Sequence, residues 1–286
     1  MEKIDIRAVT REEFSIAVDW AATEGWNPGL NDLKAFYAAD PNGFFMGFVQ
    51  DKPVSSLSVV RYEQSYGFLG FYIVLPEFRG QGIGIATWNK GLEHLAGRTI
   101  GLDGVVDQQD NYRKSGFILQ GRNIRYTGVP LFNSKQQHEL EIRDIMHSDM
   151  EALLSYDCQF FSVRREGFLN AWLEEGNLGK KATRIALKNS EICGFGTIRE
   201  CRDGFKVGPL FSEDPRTADA LLTALCATLP EGTEISLDTP EDNSEAVALA
   251  REFGLKPSFE TARMYKGDVP DLPIDKIYGI TTFELG

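Results

Sequence analysis

Four short motifs each occur twice, in the same order, along this chain of 286 residues. Ile4-Asp5-Ile6-Arg7 is answered by Leu140-Glu141-Ile142-Arg143, and Leu75-Pro76-Glu77-Phe78-Arg79 by Ser212-Glu213-Asp214-Pro215-Arg216. Ser115-Gly116-Phe117 is answered by Phe253-Gly254-Leu255, and Tyr126-Thr127-Gly128 by Tyr265-Lys266-Gly267. Each match alone is worthless, but the four keep their order while the spacing drifts only from 136 to 139 residues. A diverged internal duplication therefore constrains the fold: two copies of one domain, joined near Pro130 to Gln137. The expected units are residues 1–132 and 138–286, each near the usual domain size of about 100–150 residues. With 42% hydrophobic and 25% charged residues, the composition suits packed cores and excludes disordered or collagen-like chains.

Within the first copy, Ile4 to Val9 alternates as a strand does, and Thr10-Arg11-Glu12-Glu13 has the capping-box form that opens a helix toward Glu24. A second helix is expected over Leu30 to Ala39. Strands follow at Phe44 to Val49, Val54 to Arg61 and Phe68 to Val74, then a helix over Gly84 to Ala96 with Ile85, Trp88, Leu92 and Leu95 on one side. Ile100 to Val106 reads as a strand, Asn111 to Ser115 as a short helix, and Ile118 to Tyr126 as a final strand. The second copy repeats this order, with Asp214-Pro215 as an N-cap and first-turn proline. Ile277 to Phe283 is strand-like in composition and available to complete a sheet. The fold class is α/β (α+β), with a mixed, mostly antiparallel sheet flanked by helices in each copy.

The net charge of -12 argues against nucleic acid as a partner, because a general phosphate field needs the opposite sign. No apolar run approaches the ~20 residues of a membrane helix, and the first residues alternate rather than form a secretory core, so a cytoplasmic location is expected. The four cysteines (Cys158, Cys193, Cys201, Cys226) and three histidines (His94, His138, His147) show no metal-ligand spacing, so no metal is implied. Free thiols are expected, with a Cys193–Cys201 pair conceivable only across a hairpin.

The chemistry is concentrated in Val74-Leu75-Pro76-Glu77-Phe78-Arg79-Gly80-Gln81-Gly82-Ile83-Gly84, which runs from a strand through a glycine-rich turn into an amphipathic helix. Backbone N–H groups of such a turn close on an anion, and the helix dipole adds to the attraction, so a phosphate or pyrophosphate is the natural ligand. A P-loop is excluded because no Lys-Ser/Thr pair follows the last glycine, and the spacing does not fit Gly-x-Gly-x-x-Gly. The segment resembles the acetyl-CoA pyrophosphate loop of the GCN5-related N-acetyltransferases, Gln/Arg-x-x-Gly-x-Gly/Ala after a Val-x-Pro strand end. Arg79, Gly82 and Gly84 occupy the signature positions, with Val74 and Pro76 before them. The resemblance covers most of residues 1–130. It implies that Arg79, Gly80, Gln81, Gly82, Ile83 and Gly84 hold the pyrophosphate of acetyl-CoA. It further implies that Tyr72, Ile73 and Val74 pair with the pantetheine arm, the Val74 N–H polarising the thioester carbonyl.

Tyr112-Arg113-Lys114-Ser115-Gly116-Phe117 is similar to the Tyr-x-x-x-Gly-Phe of the same family, which implies that Tyr112 protonates the departing thiolate. The family often carries an Asn seven residues before that Tyr, contacting pantetheine. Here the position is Val105, and Asn111, beside the Tyr, is the substitute cofactor-binding candidate. Asp103, Glu63 and Glu24 are candidate bases, with a structural or surface role the simpler reading for each. Trp26, Phe36 and Tyr37 stand where the family places its substrate-side helices and are candidates to line a pocket, with core packing the simpler reading. In the second copy Arg216-Thr217-Ala218-Asp219-Ala220-Leu221 replaces the glycine turn, with Asp219 a repelling charge, and Ala250 replaces the Tyr, whereas Asn243 keeps the family Asn. The whole resembles two-domain bacterial acetyltransferases with a degenerate acetyltransferase-like C-terminal domain. The implied activity is acetyl transfer from acetyl-CoA to a primary amine by direct attack, with a small molecule the expected acceptor. The alternatives are a non-catalytic acyl-CoA or small-ligand sensor, or a protein N-terminal or lysine acetyltransferase. The second copy would then form a substrate wall, an effector site or a homodimer surface.

Overall fold

The computed structural model describes residues 4–131, 140–174 and 180–286. The expected unit borders at 132 and 138, with most of the joining segment, lie outside the described residues. In the first copy, β1 (Asp5–Ala8) leads into α1 (Arg11–Thr23) and α2 (Asp32–Ala39). Then come β2 (Phe44–Val49), β3 (Lys52–Tyr62), β4 (Tyr66–Val74), α3 (Ile83–His94), β5 (Thr99–Val105), α4 (Gln109–Lys114) and β6 (Ile118–Gly128). The expected capping box opens α1: the Thr10 hydroxyl accepts from the Glu13 N–H at 3.2 Å, and the Glu13 carboxylate accepts from the Thr10 N–H at 2.9 Å.

The second copy repeats the series. It runs through β7 (Glu141–Asp144), α5 (Met150–Phe161), α6 (Glu166–Leu173), β8 (Lys181–Lys188), β9 (Glu191–Glu200) and β10 (Phe205–Ser212). It ends with α7 (Pro215–Cys226), β11 (Ile235–Pro240), α8 (Ser244–Glu252) and β12 (Lys256–Lys266). A further strand, β13 (Ile277–Gly279), follows it.

The strands form one sheet in the order β1-β2-β3-β4-β5-β12-β6-β11-β10-β9-β8-β7, with β13 on β10. Adding six to the strand numbers of one copy turns its half of that order into the mirror of the other, which is the duplication written in space. Only β4–β5 and β10–β11 pair in parallel among the described strands, giving the mixed, mostly antiparallel sheet. The copies exchange their last strands: β12 lies between β5 and β6, and β6 pairs with β11. Each exchanged strand covers an edge that the other copy would leave open.

Both parallel pairs are short. β4 and β5 pair only over Tyr66–Leu69 and Thr99–Leu102, and β10 and β11 only over Phe205–Val207 and Ile235–Leu237. Beyond Leu69, β4 bends at a bulge where Phe71 takes φ +47° and its carbonyl accepts from the Ser56 hydroxyl at 2.7 Å. The strands diverge there, leaving a cleft. In the second copy the chain itself fills the equivalent space. Gly279 and Ile277 pair with Leu210 and Phe211 of β10, while the Ile280 N–H donates to the Asp238 carbonyl of β11 at 2.9 Å.

Two expectations change. The buried side of α3 is Ile83, Thr87, Trp88 and Gly91, continuing into Leu95, while Ile85 is 57% exposed. Thr87 bonds Ser55 at 2.8 Å, and Gly91 sits where a Cβ would be 2.2 Å from the Leu57 side chain. Close packing thus uses small or polar residues that an apolar-stripe reading overlooks. Cys193 lies within β9 and Cys201 just past its end, so no hairpin brings them together, and all four cysteines are free. Among the described residues, no helix is long and apolar enough to cross a membrane.

Candidate active site

The cleft between β4 and β5 is a cavity of about 810 Å³, and part of its wall comes from the second copy through Phe259, Glu260 and Thr261 of β12. At its mouth, Leu75 to Gly82 connect β4 to α3. Gly80 and Gly82 have φ of +75° and +82°, and a Cβ at either would meet nothing within 4 Å. These two glycines are required by backbone conformation. Gly84 is required by space, since its Cβ would stand 2.7 Å from the Tyr72 hydroxyl. The first bond of α3 runs from the Ala86 N–H to the Gly82 carbonyl, so the amides before it are the unpaired donors of a helix N-terminus.

Arg79 departs from its expected role. Its N–H donates to the Pro76 carbonyl at 3.2 Å, and its guanidinium reaches the Val74 carbonyl at 2.8 Å and the Glu24 carboxylate at 2.7 Å. The bond to Pro76 leaves the amides from Gly80 onward as the candidates to face an anion. Gln81 turns its side chain to the Glu77 carbonyl at 2.8 Å, and the Ile83 side chain is buried beside Val49 and Val54. The Leu75 N–H donates to Val54 of β3 at 3.0 Å. Alternation then turns the Val74 N–H toward the open edge, along the cavity wall that Tyr72, Ile73 and Val74 form.

Tyr112 is 7% exposed, lines the cavity, and stacks on Trp88 with ring centroids 5.6 Å apart. Gly104 makes room for it: a Cβ there would be 2.2 Å from the phenol ring. Burial raises the Tyr112 hydroxyl above its usual range, with the neighbouring Tyr72 adding to the effect, and burial pushes Tyr72 up to about 12. Both phenols thus stay protonated at neutral pH. Asn111 is outside the lining: it is exposed and donates to Gln108 at 2.8 Å.

The three candidate bases are engaged elsewhere. Asp103 has a fully buried side chain, held by the Arg263 guanidinium at 2.5 and 2.9 Å and by the Asn123 amide at 2.8 Å. Glu24 pairs with Arg79, and Glu63 accepts from the Arg164 N–H at 3.3 Å. Trp26 does line the cavity, whereas Phe36 is fully buried against Trp172 and Tyr37 packs on Phe44. One lining carboxylate escaped the sequence reading. Glu284 is 2% exposed, and neither of its carboxylate oxygens has a hydrogen-bond partner among the described residues. Burial raises its pKa, against the pull of Lys206, Arg125 and Arg199. The strand-like composition of residues 277–283 was the only signal near it.

The family model described as the acetyltransferase (GNAT) family matches residues 6–117, and the one described as an acetyltransferase (GNAT) domain matches residues 153–279. Holothin acyltransferase of Pseudoalteromonas sp. (strain SANK 73390) is 32% identical over 276 residues, covering 96% of this chain and 92% of that protein. The chain belongs to the GNAT acetyltransferase family. Among solved folds, this GNAT chain is similar to a proposed acetyltransferase of Pyrococcus horikoshii (TM-score 0.81, 22% identity), covering 100% of this chain and 97% of that one. It is also similar to a GCN5-related N-acetyltransferase of Sphaerobacter thermophilus (TM-score 0.63, 18% identity), covering 94% and 97% respectively. A tandem GNAT protein from the clavulanic acid biosynthesis pathway aligns with TM-score 0.62 at 11% identity, over 94% of this chain and all of that one. The chain is thus a two-domain GNAT protein, a transferase of the acyl-transfer class.

In the second GNAT copy the anion loop is absent rather than merely substituted. Only Glu213 and Asp214 separate β10 from α7, where Leu75 to Gly82 separate β4 from α3. The Asp214 carboxylate accepts from the Arg216 and Thr217 N–H groups, both at 2.9 Å, so a side chain of the protein takes the anion's place. Asp214, not the expected Asp219, carries that charge. Ala250 is fully buried at the position of Tyr112. Asn243 donates to the carbonyls of Ile274 and Ile277, each at 3.0 Å, so the residue at the family Asn position holds the closing segment of the chain.

Proposed function

We propose that this GNAT protein transfers an acetyl group from acetyl-CoA to the primary amine of a small molecule, in the cleft of the first copy. The observation that carries this reading is the open β4–β5 cleft, with a glycine-turned helix N-terminus at its mouth and a protonated phenol inside. We assign catalysis to residues 1–132 and acceptor recognition to residues 138–286. The amides from Gly80 to Gly84 hold the pyrophosphate, and the edge of Tyr72, Ile73 and Val74 pairs with the pantetheine arm. Acetyl-CoA supplies an activated acyl group, so placing the amine against it provides most of the acceleration. The Val74 N–H points to the developing oxyanion, and Tyr112 returns a proton to the sulfur. The resemblance to holothin acyltransferase, by its name an enzyme acting on holothin, supports a small-molecule acceptor over a protein terminus.

The test is the release of free CoA thiol from acetyl-CoA across a panel of small amines and a lysine peptide. Release with small amines, and none with the peptide, is the expected result. Tight acetyl-CoA binding without release on any acceptor overturns the enzyme in favour of a sensor.

A further inference from the structure

After β13 occupies the second copy's cleft, the chain runs on across both splayed sites. A Cβ at Gly208 of β10 would be 2.5 Å from the Thr281 carbonyl oxygen, and one at Gly70 of β4 would be 2.1 Å from that of Glu284. Side chains pin the path: the Arg165 guanidinium donates to the Thr281 hydroxyl at 2.9 Å, and the Tyr62 hydroxyl to the Leu285 carbonyl at 3.2 Å. Every residue from Ile277 to Gly286 is buried. The segment thereby presents Phe283 and Glu284 to the first copy's cavity.

The surroundings of Glu284 are built. Arg125 is matched by Asp238 at 2.7 and 2.8 Å, and Arg199 by Asp32 at 2.9 and 3.0 Å. Lys206 remains as the counter-charge, its ammonium donating to the Trp26 carbonyl at 3.1 Å while burial pushes its pKa down. That carbonyl also accepts from Arg125 at 2.9 Å, which fixes the Trp26 loop. The Arg125 guanidinium lies 4.8 Å from the Phe283 ring and 5.7 Å from the Phe259 ring. Trp26, Phe259 and Phe283 are thus held aromatic surfaces around an unpartnered carboxylate.

Resting on the acyl-transfer reading, we propose that Glu284 accepts the proton of the incoming ammonium, and that Trp26, Phe259 and Phe283 select an acceptor whose amine is borne on a flat, apolar body. The Glu284 carboxylate takes one proton from the ammonium and passes it to solvent. The freed nitrogen pair forms the C–N bond to the thioester carbonyl, and the C–S bond breaks. Tyr112 protonates the sulfur and regains a proton through solvent from the nitrogen, which keeps one as an amide. The sum is an amide, a CoA thiol and one released proton.

Glu284→Gln tests this with benzylamine and n-butylamine, reading kcat/KM from pH 6 to 9 beside acetyl-CoA affinity and melting temperature. The wild type is expected to prefer benzylamine. The variant is expected to melt no lower, because an amide replaces an unpaired buried carboxyl. Its kcat/KM should fall about 10²-fold with acetyl-CoA affinity unchanged, and its rate should track the amine's own deprotonation. Glu284→Asp should retain part of the rate and the wild-type pH limb. A folded Glu284→Gln with the wild-type rate and profile, or no preference for benzylamine, overturns the proposal. Failure of the acyl-transfer reading looks different: acetyl-CoA binds, yet no thiol is released by the wild type. Benzylamine binding to the CoA-loaded proteins then decides. Binding tenfold weaker in Glu284→Gln supports the acceptor role of Glu284, and equal or undetectable binding in both overturns it.

Discussion

Gly208→Ala perturbs the closing segment at a point outside the cavity lining. The new Cβ would fall 2.5 Å from the Thr281 carbonyl oxygen and 2.6 Å from that of Ile280, both backbone atoms. Ordinary contact begins beyond 3 Å, so the segment must yield by roughly 1 Å. The φ of Gly208 is not positive, so the left-handed strain that favours glycine plays no part. Overpacking of this kind costs about 1–3 kcal/mol, which in a chain of this size lowers Tm by about 2–5 °C. The larger consequence is positional. A displacement of about 1 Å at a reacting group costs about 10²-fold in rate. The expected result is kcat/KM for the amine reduced by that order, acetyl-CoA affinity within twofold of wild type, and faster amide hydrogen exchange over residues 277–286. Gly70→Ala, which meets the Glu284 carbonyl at 2.1 Å, should act in the same direction. If exchange shows the segment loosened in Gly208→Ala while amine kinetics are untouched, the segment is packing and not part of the acceptor site.

Calorimetry should find one acetyl-CoA site per chain, abolished by Gly82→Asp in a protein that still folds, because a negative side chain would stand among the anion-facing amides; two equivalent sites would contradict the missing loop of the second copy. Tyr112→Phe should lower turnover about 10²-fold and leave acetyl-CoA affinity unchanged, and an unchanged turnover would give the protonation to water. Asp40 is predicted to be an acid-sensitive anchor. Burial pushes its carboxyl up, but His94 at 2.9 Å and Arg61 at 3.0 Å outweigh that and hold it at about 2. A depressed native value stabilises above the unfolded value near 4, and that contribution of about 2 kcal/mol is lost as pH falls toward 2. Asp40→Asn should lose it at neutral pH and flatten acid unfolding over that window, as urea midpoints at pH 7, 4 and 2 would show.

The parts of this molecule legible from sequence are those governed by neighbours along the chain. The capping box at Thr10, the Asp214-Pro215 start of α7 and the glycine turn all act over a few residues, and the structure keeps each of them. What escaped is long-range. The exchange of β6 and β12 leaves no local mark, because a strand that pairs in the other copy has the same alternation as one that pairs in its own. The match of Arg79 to Arg216 concealed a shortened connection, since a lost loop beside a shifted helix resembles substitution. Glu284 was invisible for a related reason: an acidic residue near the end of a chain ordinarily reads as solvated, and its burial depends on Gly70 and Gly208, far away in sequence.

The two copies inherit the same pair of unsatisfied features, a strand edge that faces a cleft and a helix N-terminus with unpaired amides. The first copy leaves both open at the mouth of a cavity. The second closes both from within: β13 pairs along β10, and the Asp214 carboxylate caps α7. An intramolecular strand is always present at its cleft and forfeits no translational freedom on docking. A CoA molecule would have to displace it before gaining any contact. Restoring glycines to the second copy would therefore not restore binding, because the loop is only one of the two vacancies a CoA needs. The retained splay of β10 and β11 is then explained by what fills it. A segment seated there is aimed across the shared sheet, and the first carboxylate it brings to the open cleft is Glu284.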